Sequence, residues 1–175
     1  NSLRVRLEHV SEWLQRVDPD VLGLQETKLV DEKFPVTDFE EMGYKTVFSG
    51  QPTYNGVALI SREPAKDIAT ELDGFPDSEK RVLAATFGDV RVLNLYVPNG
   101  RSVDSEKYQY KLDWLRALNA QLQKDVKLYK HIVAMGDFNI APEDRDVHDP
   151  SEWEGKILCS QKERQALVEI LSVGF

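Results

Sequence analysis

A single cysteine, Cys159, stands among 175 residues, which excludes an internal disulfide framework and fits a reducing compartment. Positive charge is also short: 22 Lys and Arg face 30 Asp and Glu, for a formal net charge of −8. That balance argues against a general electrostatic grip on nucleic acid. Any phosphate-bearing partner has to be met by a local basic patch or a bound cation. No apolar run approaches the roughly 18 residues of a membrane span, and no signal peptide opens the sequence. Repeats, low-complexity tracts and linkers are lacking too. What is present is globular in composition, 41% hydrophobic and 30% charged, enough chain for one domain that buries about 70% of its unfolded surface. These features predict a soluble, acidic, cytoplasmic domain spanning 1–175.

Hydrophobic periodicity places the elements. Leu7, Val10, Leu14 and Val17 recur at steps of three and four and predict a helix from Leu3 to Val17. After the turn Asp18-Pro19-Asp20, the run Val21–Gln25 reads as a short buried strand. A helical piece is expected at 37–42. Strands are then expected at 44–49, 56–62, 68–72, 81–87 and 90–97, the last two joined by a Gly88-Asp89 hairpin turn. Tyr108, Leu112, Leu115, Leu118 and Leu122 form the stripe of a helix over 104–123. His131–Gly136 is a compact apolar strand, and Ser160-Gln161-Lys162-Glu163 has the form of a capping box opening a helix that ends at Leu171. Close succession of short strands argues for antiparallel pairing, and the whole reads as one domain of mixed α and β structure.

Three of these strands run out into polar residues: Gln25-Glu26-Thr27-Lys28, Tyr96-Val97-Pro98-Asn99-Gly100 and Gly136-Asp137-Phe138-Asn139. Ligands commonly bind at the carboxyl ends of strands, where loops diverge. Taken singly, an Asp-x-Asn after a strand reads as a turn, a lone Glu as a solvated group and Tyr96 as a half-buried aromatic. Taken together, they form an all-oxygen set suited to a hard cation such as Mg²⁺, with Mn²⁺ as the substitute. Such an ion offsets phosphodiester charge, and a neutral phenol can donate to a phosphate oxygen. Extended backbone through 137–139 would aim Asp137 and Asn139 to one side, with Phe138 opposite.

Four stretches carry a family resemblance: Leu22-Gly23-Leu24-Gln25-Glu26-Thr27-Lys28, Tyr54-Asn55-Gly56-Val57-Ala58, Asn94-Leu95-Tyr96-Val97-Pro98-Asn99-Gly100 and Gly136-Asp137-Phe138-Asn139-Ile140-Ala141-Pro142. In this order and spacing they resemble the exonuclease III family of apurinic/apyrimidinic endonucleases, within the endonuclease/exonuclease/phosphatase fold. Asn1-Ser2-Leu3-Arg4 is similar to the remainder of that family's first motif, and Asp146-Val147-His148-Asp149-Pro150, Trp153-Glu154-Gly155 and Glu163-Arg164 resemble its bacterial branch.

The resemblance implies an α+β fold of two packed, largely antiparallel β-sheets flanked by helices, a DNase I-like four-layer sandwich. It implies a Mg²⁺-dependent DNA-repair phosphodiesterase that cleaves 5′ of abasic sites and trims 3′ ends of double-stranded DNA, as a monomer and away from membranes. Glu26, Asn1 and Asp137 would serve the metal. Tyr96 would contact the scissile phosphate, Asp137 would activate water and Asn139 would support the transition-state oxygens. Arg4, Lys28, Tyr54, Arg81, Asn99 and Arg101 fall where the family touches DNA.

The family's preceding asparagine, its aromatic-rich DNA loop, its Arg-Ile-Asp motif and its terminal Ser-Asp-His have no counterpart here, and His9, His131 and His148 do not replace the last. The sequence therefore reads as the first two-thirds of such a domain, incomplete at both ends. Another phosphoesterase of the same fold, or an impaired fragment that binds DNA or a partner without cutting, stay open as alternatives.

Overall fold

A computed structural model describes residues 2–175. They form two compact units, one of the described residues up to Glu71 with Pro76–Tyr96 and Tyr129–Asp137, the other of Leu72–Phe75, Val97–Leu128 and Phe138–Phe175.

The first unit holds both sheets. Strands β1 (Val21–Gln25), β2 (Lys45–Ser49) and β3 (Val57–Ser61) pair antiparallel in the order β1-β3-β2. Strands β4 (Lys66–Ala69), β5 (Val82–Phe87), β6 (Val90–Tyr96) and β7 (His131–Asp137) follow in the order β4-β5-β6-β7, antiparallel except for the parallel β6–β7 pair. A parallel pair needs a long crossover rather than a hairpin, and the chain between β6 and β7 contains a 23-residue helix.

Strand alternation decides what each face meets. On β3, Val57 and Leu59 pack with Leu83, Ala85, Phe87 and Val92 of the second sheet, whereas Ala58 and Ile60 pack with Leu3, Leu14, Phe34, Phe39 and Tyr44. A central strand buried on both faces thus joins an inter-sheet core to a sheet–helix core, each fully buried large side chain contributing about 2 kcal/mol. Helices α1 (Leu3–Val17) and α2 (Val36–Glu41) supply the helical side of the latter. Helix α1 stops at Asp18, whose left-handed backbone (φ 49°) sends its N–H to Leu14 O.

The second unit is helical: α3 (Glu106–Leu128), α4 (Pro150–Trp153) and α5 (Gln161–Leu171), with α3 packed on α5. The expected stripe on α3 is buried throughout, from Tyr108 to Leu122. The expected capping box at Ser160 and Glu163 is formed in both directions.

The architecture agrees with the expectation of two largely antiparallel sheets with helices, and four details differ. Val17 is exposed, being the last residue of α1 and directly before the C-cap Asp18. Strand β4 lies at Lys66–Ala69 rather than 68–72: Asp67 takes a left-handed φ of 49°, the register shifts there, and Ile68 faces solvent on this edge. Helix α3 continues to Leu128, since 124–128 holds no Gly or Pro to end it. Finally, β7 ends at Asp137 and Asn139 adopts φ 47°. The 137–139 segment is therefore not extended, and simple alternation does not set the direction of the Asn139 side chain.

Candidate active site

The inward file of β6 carries the first part of the site. Val90, Val92, Asn94 and Tyr96 share one face, the face turned to the other sheet. Asn94 is fully buried and donates to Leu24 O and Ala58 O at 2.9 Å each, while its Oδ1 accepts from Gln25 Nε2 at 2.5 Å. One amide side chain thus staples β6 to β1 and β3 just before β6 and β1 end and where β3 begins.

Tyr96, two residues on, meets the loop leaving β1. Its hydroxyl donates to Glu26 Oε1 at 2.5 Å, and Lys28 Nζ lies 3.3 Å from Glu26 Oε2. Glu26 and Lys28 both hold left-handed backbones, φ 54° and 55°. For residues with a Cβ this conformation is uncommon and persists only where surrounding structure enforces it. Here Ser2 N donates to Glu26 O (2.8 Å), Thr27 N to Gly56 O (3.2 Å) and Lys28 N to Asn55 O (3.0 Å), so every link of the loop is tied.

Asp137 is the register partner of Tyr96 on the parallel β7 and is solvent-exposed. The preceding Gly136 has φ 134°, and a Cβ there would stand 2.0 Å from Leu95 O. Only glycine lets the end of β7 lie this close to β6, which brings Asp137 beside Tyr96.

Electrostatics follow from these contacts. The Tyr96 hydrogen bond, with Lys28 assisting, holds the Glu26 carboxyl below its ordinary range, so it is ionised. Burial, the Glu26 hydrogen bond and the charges of Glu26 and Asp137 push the Tyr96 phenol up to about 12, so it keeps its proton at neutral pH. Arg81 clasps the same ring: its guanidinium lies 4.7 Å over the Tyr96 centroid, donates to Tyr96 O at 3.2 Å and is itself held by Glu79 at 2.6 Å.

Within the first unit the structure therefore gathers Glu26, Lys28, Arg81, Tyr96 and Asp137. Arg4 and Tyr54 are exposed, Tyr54 on the loop whose Asn55 amide bonds Gln51 and Glu79. Asn1 lies outside the described residues. Within the second unit, Asn139 donates to Val97 O at 2.9 Å and accepts from Asn99 Nδ2 at 3.3 Å, while Asn99 and Arg101 are exposed.

The donor chemistry suits a hard divalent cation. Glu26 and Asp137 are oxygen donors and partly open to solvent, and among the described residues no three His, Cys, Asp or Glu side chains converge. Mg²⁺ takes one or two carboxylates and otherwise prefers water or phosphate oxygens.

Sequence reasoning missed two residues that support this arrangement: Asn94 was visible as the one amide in an apolar strand face, and Glu79 had no signal.

The strand ends of the two sheets thus hold a phenol between two carboxylates. Residues 1–164 match the Endonuclease/Exonuclease/phosphatase family, and the chain belongs to that family. It is 36% identical over 156 residues to exodeoxyribonuclease III of Haemophilus influenzae, an alignment covering 84% of this chain and 57% of that protein. It is 30% identical over 167 residues to an exodeoxyribonuclease of Bacillus subtilis, covering 93% and 64%. The chain thus spans about three-fifths of the length of these curated relatives. Among solved structures, it is similar to the 3′ phosphatase NExo from Neisseria bound to a product DNA hairpin, with a TM-score of 0.98, 44% identity and coverage of 99% of this chain and 68% of that one. It is also similar to an AP endonuclease from Archaeoglobus fulgidus, with a TM-score of 0.94, 45% identity and coverage of 100% and 68%.

Proposed function

We propose that the protein is a Mg²⁺-dependent DNA-repair phosphodiesterase that hydrolyses the phosphodiester 5′ of abasic sites and trims blocked or unblocked 3′ ends. The observation that carries this reading is the neutral Tyr96 phenol held by an ionised Glu26 with Asp137 beside it. It is supported by likeness to nucleases and to a 3′ phosphatase seen with product DNA.

Glu26 and Asp137, with Asn1, are the side chains assigned to hold Mg²⁺. When bound, the ion supplies positive charge against the phosphodiester and Lewis-acid stabilisation of the departing oxygen. The chain's own groups do the rest. With substrate bound, Tyr96 turns its single O–H from Glu26 to a phosphate oxygen and orients the ester without changing its own charge. Asp137, exposed at the strand end, accepts the proton of the attacking water. Asn139 offers its amide to oxygens that gain charge in the transition state. Arg81 keeps the Tyr96 ring in place from its far face.

Arg4, Lys28, Tyr54, Asn99 and Arg101 are assigned to double-stranded DNA, with Arg81 acting through Tyr96. A net charge of −8 confines that contact to a narrow face. The two units act as one domain and the protein works as a cytoplasmic monomer.

The test is cleavage of duplexes carrying an abasic-site analogue or a 3′-phosphate, with Mg²⁺ or with EDTA, by the protein and by Asp137→Ala. Metal-dependent incision or phosphate release that is lost in the variant is expected. Hydrolysis of soluble phosphoesters but not of either duplex would replace the DNA assignment with another phosphoesterase activity. Binding of duplex without cleavage would make the protein a non-catalytic binder.

A further inference from the structure

The second unit contains a buried ion pair that the scheme above leaves unused. Lys111 on α3 and Glu163 on α5 are fully buried, with Nζ and Oε1 2.5 Å apart. Two charges withdrawn from water are held at a cost unless their donors and acceptors are met, and an apolar pair of similar volume would join two helices as well. Here the requirement is met. Glu163 Oε1 also accepts from Leu158 N at 3.1 Å, and Oε2 accepts from Ser160 N at 3.1 Å and Ser160 Oγ at 2.6 Å.

The ammonium's other bonds show where its effect goes. Lys111 Nζ donates to Asn139 O at 2.6 Å and to Asn99 O at 3.2 Å. These are main-chain carbonyls of two loop residues far apart in sequence, whose side chains bond each other on the outer side. Asn139 sits at φ 47°, a left-handed conformation that asparagine tolerates better than most residues with a Cβ. Its amide is further fixed on Val97 O. One buried cation therefore holds both backbones while the side chains pair above it. A hydrophobic residue at 111 could fill the space but could not bind either carbonyl.

We propose that Lys111 is a positioning residue for hydrolysis: its ammonium, poised by Glu163, sets the Asn139 backbone and thereby the aim of the Asn139 amide. This rests on the reading that Asn139 serves the reaction. Removing the tether frees the Asn139 and Asn99 carbonyls, so the Asn139 backbone shifts and its amide swings away. Misplacement of a reacting or stabilising group by about 1 Å is enough to lower turnover about 100-fold.

The test uses two variants. Lys111→Met combined with Glu163→Leu removes the charge pair as a unit and leaves no lone buried charge. Lys111→Arg keeps the charge but cannot serve three acceptors from one atom. Urea midpoints, side-chain amide NMR signals of Asn99 and Asn139, and kcat and KM on whichever duplex the protein cleaves are measured for each.

Both variants are expected to fold, to shift the Asn139 amide signals and speed their exchange, and to lose about 10- to 100-fold in kcat with KM within about threefold. A folded variant with wild-type kcat and unmoved Asn139 signals overturns the proposal and leaves Lys111 as a helix-to-helix joint. If the protein cleaves neither duplex, the proposed function falls, and the Asn139 signals alone still decide whether Lys111 sets that residue.

Discussion

Tyr96 and Glu26 share a 2.5 Å hydrogen bond that ties the last residue of a strand in one sheet to the loop leaving a strand of the other. Two residues upstream, Asn94 makes the same crossing through main-chain carbonyls of β1 and β3. The polar positions of one strand face thus do two successive tasks, first aligning the sheets and then presenting a proton donor at their edge.

Tyr96→Phe removes the donor and leaves the packing. We expect melting within a few degrees of the wild type and a loss of roughly 100-fold in kcat, the scale of losing one oriented donor to a transition state. Steady-state kinetics on the abasic duplex check this, and wild-type turnover by the phenylalanine variant would remove Tyr96 from the mechanism.

Asn94→Leu fills the same space with no partner for Gln25 Nε2 and withdraws two donors from buried carbonyls. Stranded buried polar groups predict a loss of about 2–4 kcal/mol in unfolding free energy. Urea denaturation measures it, with an unchanged m-value marking a folded-state effect. A change within experimental error would mean that the two sheets are held without the staple.

Asp18 predicts a pH signature. Hydrogen bonding and charge from Arg62 hold its carboxyl below the ordinary value of 3.8, and Arg62 also donates to Met42 O and lies 3.8 Å over the Tyr44 ring. A carboxyl with a depressed folded-state pKa adds stability above its unfolded pKa and loses it as pH falls through the folded one. Asp18→Asn suits the left-handed helix cap and cannot titrate. The wild type should be the more stable of the two at neutral pH, and the gap should close as pH drops below 3.8. Urea midpoints that differ equally at pH 7 and in acid would refute the coupling.

Glu26→Gln tests the assigned cation directly, without any turnover. The amide is a poorer ligand for a hard ion, so Mn²⁺ binding followed by water-proton relaxation should weaken by tenfold or more, about the scale of lesser changes around metal sites. Equal affinity in the variant would place the ion elsewhere.

Much was readable from residue order alone. The 3.6-residue period of α1 and α3, the turn chemistry of Gly88-Asp89 and the box at Ser160 and Glu163 each depend on neighbours within a few positions, and each formed where expected, α3 running five residues further. The polar run-outs after β1, β6 and β7 likewise marked Glu26, Tyr96 and Asp137, because strands that stop in polar residues advertise a loop cluster. Local reading failed where distant chain segments overrule local preference. At Asp67 an edge strand shifts register, and at Asn139 a tethered backbone turns left-handed, so alternation misjudged both.

By itself, the sequence determined the class of the protein: short strands, amphipathic helices and ordered family motifs are all local or linear properties. Tertiary structure alone decided the chemistry of the groups. Glu26 is held ionised by a tyrosine 70 positions away, and Arg81 is committed to that same ring rather than to open solvent. The buried Lys111 binds two carbonyls, 12 and 28 residues distant in sequence. Hydrogen bonds and desolvation act over a few ångströms in space whatever the separation along the chain, so only the folded arrangement sets which charges persist and where each donor points.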